Sequence, residues 1–191
     1  ASKFEAFDSS RPVRFCRVGT MEARKSPVEI AEGFAAAVDA GATAELVFVG
    51  RPSASDASIN SRVKALIAAG YPIQWNESAN DSEVTQIITE SDFFLSVGTE
   101  GYGIPVLEAI ALGTPVLYSG IQPAAELMEG IGSHRVGVES GSLVKQLEQM
   151  FITYSTVEKV NELITSSNSG SIPKWSEFAA RVVLAVRKLE Q

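Results

Sequence analysis

The stretch SDFFLSVGTEGYGIPVLEAIALGTPVL, Ser91 to Leu117, reads as strand, glycine turn, helix, glycine turn and strand in sequence. Phe93 to Val97 is a short apolar run of strand length, and Pro115 to Tyr118 is a second. Between them, Pro105 falls in the first turn of a helical segment, where a missing N–H costs nothing. The turn Gly98 to Gly103 interrupts the most hydrophobic part of the chain and is flanked by two carboxylates, Glu100 and Glu108. Glycine lets backbone approach a ligand closely, and a helix start offers unpaired N–H groups, so this turn has the makings of a phosphate seat. Carboxylates on either side suit hydroxyls at both ends of a ligand whose middle is phosphate, as in a nucleotide sugar.

The same alternation runs outward from this segment. Further strands are expected at Val13 to Val18, Glu45 to Val49, Pro72 to Trp75 and, more weakly, Val136 to Val138. Apolar residues at helical spacing lie between them: Ile30, Phe34, Ala37 and Val38, then Ile59, Val63, Leu66 and Ile67, then Val84, Ile87 and Ile88. Strand alternating with helix implies an α/β fold, a Rossmann-like parallel sheet of about six strands with helices on both faces. Ser26, Pro27 and Glu29 form a candidate capping box, and Ser155 with Glu158 another. Thr165 to Ser171 reads as a loop, and residues 174–191 as a final amphipathic helix with Phe178, Val182, Val186 and Leu189 on one stripe. No repeat or domain boundary interrupts residues 1–191, so a single domain is expected.

Composition narrows the function classes. The chain has 191 residues, a net charge of −7, 45% hydrophobic and 20% charged residues. An acidic balance argues against general nucleic-acid or anionic-membrane binding, which rests on Lys and Arg. No apolar run reaches the roughly 18 to 20 residues of a membrane span, and the N-terminus lacks a signal-peptide pattern, so a cytoplasmic location is expected. Cys16 is the single cysteine and reads as a core residue of the first strand, without a disulfide or metal partner. His134, the single histidine, has no second ligand at metal spacing and reads as an exposed loop residue. No metal site is expected.

After the first strand comes VGTMEARKSP, Val18 to Pro27, which places Arg24 and Lys25 before a helix start at the same end of the sheet as the glycine turn. Two adjacent cations there would complete a diphosphate clamp. RVGTMEARKSPVEIAEGF, the opening stretch and the terminal WSEFAARV resemble the C-terminal, donor-binding half of GT-B glycosyltransferases, especially the large retaining family numbered 4, the glycosyl transferases group 1. The hallmark is Glu, seven residues, then Glu, with a Gly-aromatic-Gly-x-Pro turn between, matched here by Glu100, Gly101, Tyr102, Gly103, Pro105 and Glu108.

The resemblance implies that Glu100 contacts the donor sugar and Glu108 the ribose, while backbone N–H groups at Gly103 and Ile104 meet the phosphates. Gly101, Tyr102 and Thr20 complete the implied donor site. Thr20 stands where many members carry arginine, which shifts weight onto Arg24 and Lys25. These two would stabilise the departing nucleotide diphosphate in place of a metal ion. The donor would be a nucleotide-diphosphate sugar, of UDP or GDP, with no further cofactor. The resemblance implies one half of a retaining, hexosyltransferase-type enzyme whose N-terminal acceptor domain lies outside this sequence, so that the fragment alone would be inactive. The alternative is a non-catalytic nucleotide-sugar-binding or scaffolding domain that keeps the half fold.

Overall fold

The apolar runs become strands and the helical-period segments become the layers that cover them. The computed structural model describes residues 11–137 and 141–167. In chain order the elements are β1 (Val13–Val18), a 3-10 turn (Ala23–Lys25), α1 (Pro27–Asp39), β2 (Ala44–Val49), α2 (Ala57–Ala68), β3 (Ile73–Asn76), α3 (Asp81–Glu90) and β4 (Phe93–Thr99). There follow α4 (Ile104–Ala111), β5 (Val116–Ile121), α5 (Pro123–Leu127), β6 (Ser133–Arg135), α6 (Leu143–Tyr154) and α7 (Val157–Ser167). The strands pair in the order β3-β2-β1-β4-β5-β6, and every pair is parallel. Residue for residue, β1 lies against β2 from Val13↔Ala44 to Val18↔Val49, and against β4 at Phe15↔Phe93 and Cys16↔Phe94.

Successive strand residues point to opposite faces, which is why the central strands carry apolar residues on both. Phe15, Leu46 and Phe93 belong to one core, shared with Phe34 of α1 and Phe151 of α6. Their neighbours Cys16, Val47 and Phe94 belong to a second, shared with Val106 of α4 and Ala125 of α5. In the first core the Phe151 ring meets Phe15 and Phe34 edge-on, at 5.0 and 5.1 Å between centroids. Full burial of such a side chain stabilises the fold by about 1.5–3 kcal/mol. Gly33 permits the packing of α1 on α6, since a Cβ there would stand 2.7 Å from the Cβ of Leu147.

Several local expectations are corrected. The sixth strand is Ser133–Arg135, not Val136 to Val138, and Val138 lies outside the described residues. Ser26 does precede α1, but it adopts a left-handed conformation (φ 50°) and makes no side-chain cap bond; its own N–H donates to the carbonyl of Ala23, closing the 3-10 turn. A capping box forms instead at Asn80 and Glu83 ahead of α3. Ser155 closes α6, its N–H donating to Phe151 O, rather than opening the next helix. Residues 165–167 continue α7 instead of starting a loop. The expected terminal helix at residues 174–191 lies outside the described residues. His134 is not on an exposed loop: it sits in β6, with Nε2 shielded from solvent, and burial lowers its pKa against the opposing charges of Glu129 and Glu162. Cys16 is buried in β1 as read.

Candidate functional site at the sheet switch point

The chain runs outward from β1 in both directions, to β2 and β3 on one side and to β4, β5 and β6 on the other. Crossovers therefore leave β1 and β4 on opposite faces, and a crevice opens above their C-terminal ends, where open α/β sheets bind ligands. The two loops singled out from sequence meet there. Gly98 makes the meeting possible. It has φ +89°, and a Cβ on it would stand 2.1 Å from the carbonyl oxygen of Arg24, so the turn after β1 rests directly on the end of β4.

That contact brings the cations to Glu100. Lys25 Nζ lies 2.6 Å from Glu100 Oε1, and Arg24 Nη1 lies 3.3 Å from Oε2. Arg24 also donates to the Thr99 carbonyl at 2.8 Å and pairs with Glu22 at 2.7 Å. Lys25 is the inner member, 13% exposed, and Arg24 the outer, 47% exposed. Burial pushes the Glu100 carboxyl up, but the bonds and charge of Lys25, then of Arg24, outweigh it and hold the carboxyl below the usual carboxylate range. The hollow lined by Lys25, Glu100, Gly103 and Pro105 is only about 10 Å³, room for about one water.

The helix start behaves as the glycine turn foretells. Gly103 is the N-cap of α4 with φ +96°, and no side chain caps the helix. The Ala124 N–H donates to the Tyr102 carbonyl at 2.9 Å, tying the turn to α5, while burial raises the pKa of the Tyr102 hydroxyl. Gly101 is exposed, and Ile104 is 57% exposed at the rim. Glu108 is exposed one turn farther along α4 and does not line the hollow that contains Glu100. Thr20 instead lines a second, open cleft of about 460 Å³ above β1, β2 and β3, together with Gly50, Arg51, Glu77 and Ser78. Among the described residues no group of three His, Cys, Asp or Glu side chains could hold a metal ion. No helix there is long and apolar enough to cross a membrane.

Residues 12–166 match the family described as Glycosyl transferases group 1. The chain belongs to that family. Solved structures of glycosyltransferases share its fold. WaaG, a glycosyltransferase involved in lipopolysaccharide biosynthesis, aligns over 90% of this chain and 47% of its own with a TM-score of 0.69 and 17% identity. HepE of Anabaena, solved with UDP and glucose, aligns over 84% and 43% with a TM-score of 0.65 and 15% identity. An α,α-trehalose-phosphate synthase (UDP-forming) from Burkholderia vietnamiensis aligns over 84% and 42% with a TM-score of 0.64 and 12% identity. The chain thus spans less than half the length of these structures and has the fold of one half of a GT-B protein. No curated protein matches its sequence at a significant level.

Two polar residues of the family member's crevice, Gln122 and Arg17, were not read from sequence. Gln122, 1% exposed, donates from Nε2 to the Gly98 carbonyl at 3.1 Å and accepts from Ser96 Oγ at 2.7 Å. It therefore clamps the peptide on which the Arg24 backbone rests. Glu126 supports Gln122 in turn: its Oε1 accepts from the Gln122 N–H and from Arg135, each at 3.2 Å. Arg17, in β1, lines the hollow with Lys25 and Glu100. The available signal was a charged residue inside the apolar run VRFCRV and a glutamine directly after a strand, ahead of a proline.

Proposed function

We propose that this chain is the donor-binding half of a retaining glycosyltransferase of the hexosyltransferase type, taking its sugar from a nucleotide-diphosphate donor such as a UDP- or GDP-sugar. The observation that carries this reading is the convergence of Lys25, Arg24 and Glu100 beside the uncapped start of α4, at the crevice between β1 and β4. The UDP and glucose in the HepE structure support it by analogy of fold. The diphosphate sits against Lys25, Arg24 and the N–H groups of Gly103 and Ile104, where charge-assisted bonds and the helix dipole favour an anion. When the bond to the anomeric carbon breaks, negative charge grows on the departing phosphate, and the same groups stabilise it.

Glu100 cannot serve Lys25 and a sugar in full at once. Donor binding exchanges the Lys25–Glu100 contact for a Lys25–phosphate contact, and the released carboxylate accepts from sugar hydroxyls. Glu108 takes ribose hydroxyls, and Thr20 and Tyr102 line the approach. The acceptor and the remaining catalytic groups come from a preceding domain, so the chain alone binds donor without transferring sugar.

Calorimetric titration of the chain with UDP, GDP and ADP and their sugars tests the reading. At least one should bind, and Lys25→Ala should weaken it at least tenfold, the cost of removing one partner of a charged bond at a desolvated site. Lys145→Ala, at a side chain 67% exposed on α6, should leave affinity within about twofold. No heat from any of these ligands would overturn the proposal, and equal effects of the two substitutions would remove Lys25 from the site.

A further inference from the structure

Arg17 is a charged residue built into the middle strand pair, 3% exposed. A buried guanidinium costs several kcal/mol unless its surroundings answer it. Among the described residues no carboxylate lies within ion-pair distance of Arg17. It is answered by three consecutive residues of the turn after β1: it donates from Nη1 to the Gly19 carbonyl and, at 3.7 Å, to Met21 Sδ, and from Nη2 to the Thr20 carbonyl at 3.1 Å. One planar fork thus grips the whole bend from two nitrogens, and a lysine, whose three donors share one nitrogen, has no equivalent. The bend leads within four residues to the 3-10 turn that carries Arg24 and Lys25.

The charges lead to the same place. A Cβ on Gly19 would lie 3.0 Å from Lys25 Nζ and 3.9 Å from both Nη atoms of Arg17, so two cations converge on one α-carbon. Glu100 satisfies Lys25, and Glu22 satisfies Arg24. Three cations, Arg17, Arg24 and Lys25, therefore face two carboxylates, Glu22 and Glu100. Burial pushes the Arg17 guanidinium down to about 10, with Glu100 and then Glu22 pulling upward, and it remains charged at neutral pH. Without Arg17 these side chains would be electrically balanced, and an anion would be drawn only by an exchange of their partners and by the uncapped start of α4.

We propose that Arg17 is the positioning residue of the diphosphate seat, shaping the turn that presents Lys25 and leaving the cluster one positive charge in excess for the ligand. The inference rests on the donor-binding reading above and adds a residue that need not touch the donor.

The test uses inorganic pyrophosphate, which has the diphosphate charge and no base or sugar, titrated into the chain across a range of salt concentrations. Wild type should bind it, and more weakly as salt rises. Arg17→Met should lower the affinity at least tenfold and flatten the dependence on salt, because one of the charges that salt screens is gone. Arg17→Lys should keep the salt dependence and lose about threefold or more in affinity, since charge survives and the fork does not. A thermal melt accompanies each variant. Arg17→Met with wild-type affinity, or with weaker binding but an unchanged salt slope, would overturn the role, the latter marking a merely structural residue. If Arg17→Met does not fold, Arg17→Lys decides, and affinity within twofold of wild type overturns the proposal. Failure of wild type to bind pyrophosphate or any nucleoside diphosphate would instead sink the donor-binding reading itself.

Discussion

The crevice has two parts that differ in kind. Above β1 and β4 the hollow is about 10 Å³ and is filled by the contacts of Lys25 and Arg24 with Glu100. Above β1, β2 and β3 the cleft is about 460 Å³ and open, with Gly50, Arg51, Glu77 and Ser78 on its walls. Val18 borders both. The closed part is held by the contacts of Lys25 and Arg24 with Glu100, and on the donor-binding proposal a diphosphate would open it by exchange of partners. The open part needs no such exchange, and on the same proposal it would receive the nucleoside. The proposal thus has ligand charge and ligand shape read at different places, and substitutions should separate them.

The largest break is expected at Gly98. Its φ of +89° and the 2.1 Å approach of the Arg24 carbonyl to a Cβ position leave no room for a side chain. Gly98→Ala should cost roughly 2–4 kcal/mol in strain and displaced backbone. It should also separate Lys25 from Glu100, so diphosphate binding should disappear even in the fraction that folds. Denaturant unfolding and titration with pyrophosphate check the two halves of this statement. Retained binding at wild-type strength would mean that the close approach is not what assembles the seat.

Gly98 also marks how far sequence reached. The parallel sheet was legible because every central strand carries apolar residues on both faces, and because helical periods filled the gaps. The partnership of the Lys25 turn with the Glu100 turn followed from topology, since both leave C-terminal strand ends of one sheet. The sixth strand was misplaced because Ser133, His134 and Arg135 form a three-residue pairing with no apolar run to announce it. The box at Ser26 was misread because close packing of the turn after β1, not the cap, decides its backbone there. Arg17 and Gln122 were missed for a shared reason. Their value lies in which carbonyls they hold, Gly19 and Thr20 for one and Gly98 for the other, and those distances exist only after folding.

A smaller effect sharpens the closed side. Glu100→Gln keeps the size of the side chain and removes the charge that Lys25 and Arg24 share. Because the folded-state pKa of Glu100 lies below its usual value, the pair contributes stability above the unfolded carboxyl pKa of about 4.3 and loses it as pH falls through the depressed folded value. The wild type should therefore be the more stable at neutral pH, with the difference from Glu100→Gln shrinking toward zero in acid. Parallel thermal melts from neutral pH down through the carboxylate range measure this. A difference that stays constant with pH would mean that packing, rather than the ion pair, accounts for it.

The smallest effect belongs to the open side. Glu77 borders the cleft and holds Lys64 at 2.7 Å, with both side chains largely in solvent, so its ion pair adds little to stability. If the cleft takes the nucleoside, Glu77→Ala should weaken a nucleoside diphosphate by about fivefold, the worth of one hydrogen bond of about 1 kcal/mol. Pyrophosphate, which does not extend into the cleft, should bind the variant as it binds wild type. The ratio of the two affinities is therefore the measurement, because it cancels any general loss of fold or charge. Loss of pyrophosphate affinity in step with the nucleotide would show that the two parts of the crevice act as one electrostatic site, and the division between charge-reading and shape-reading would have to be abandoned.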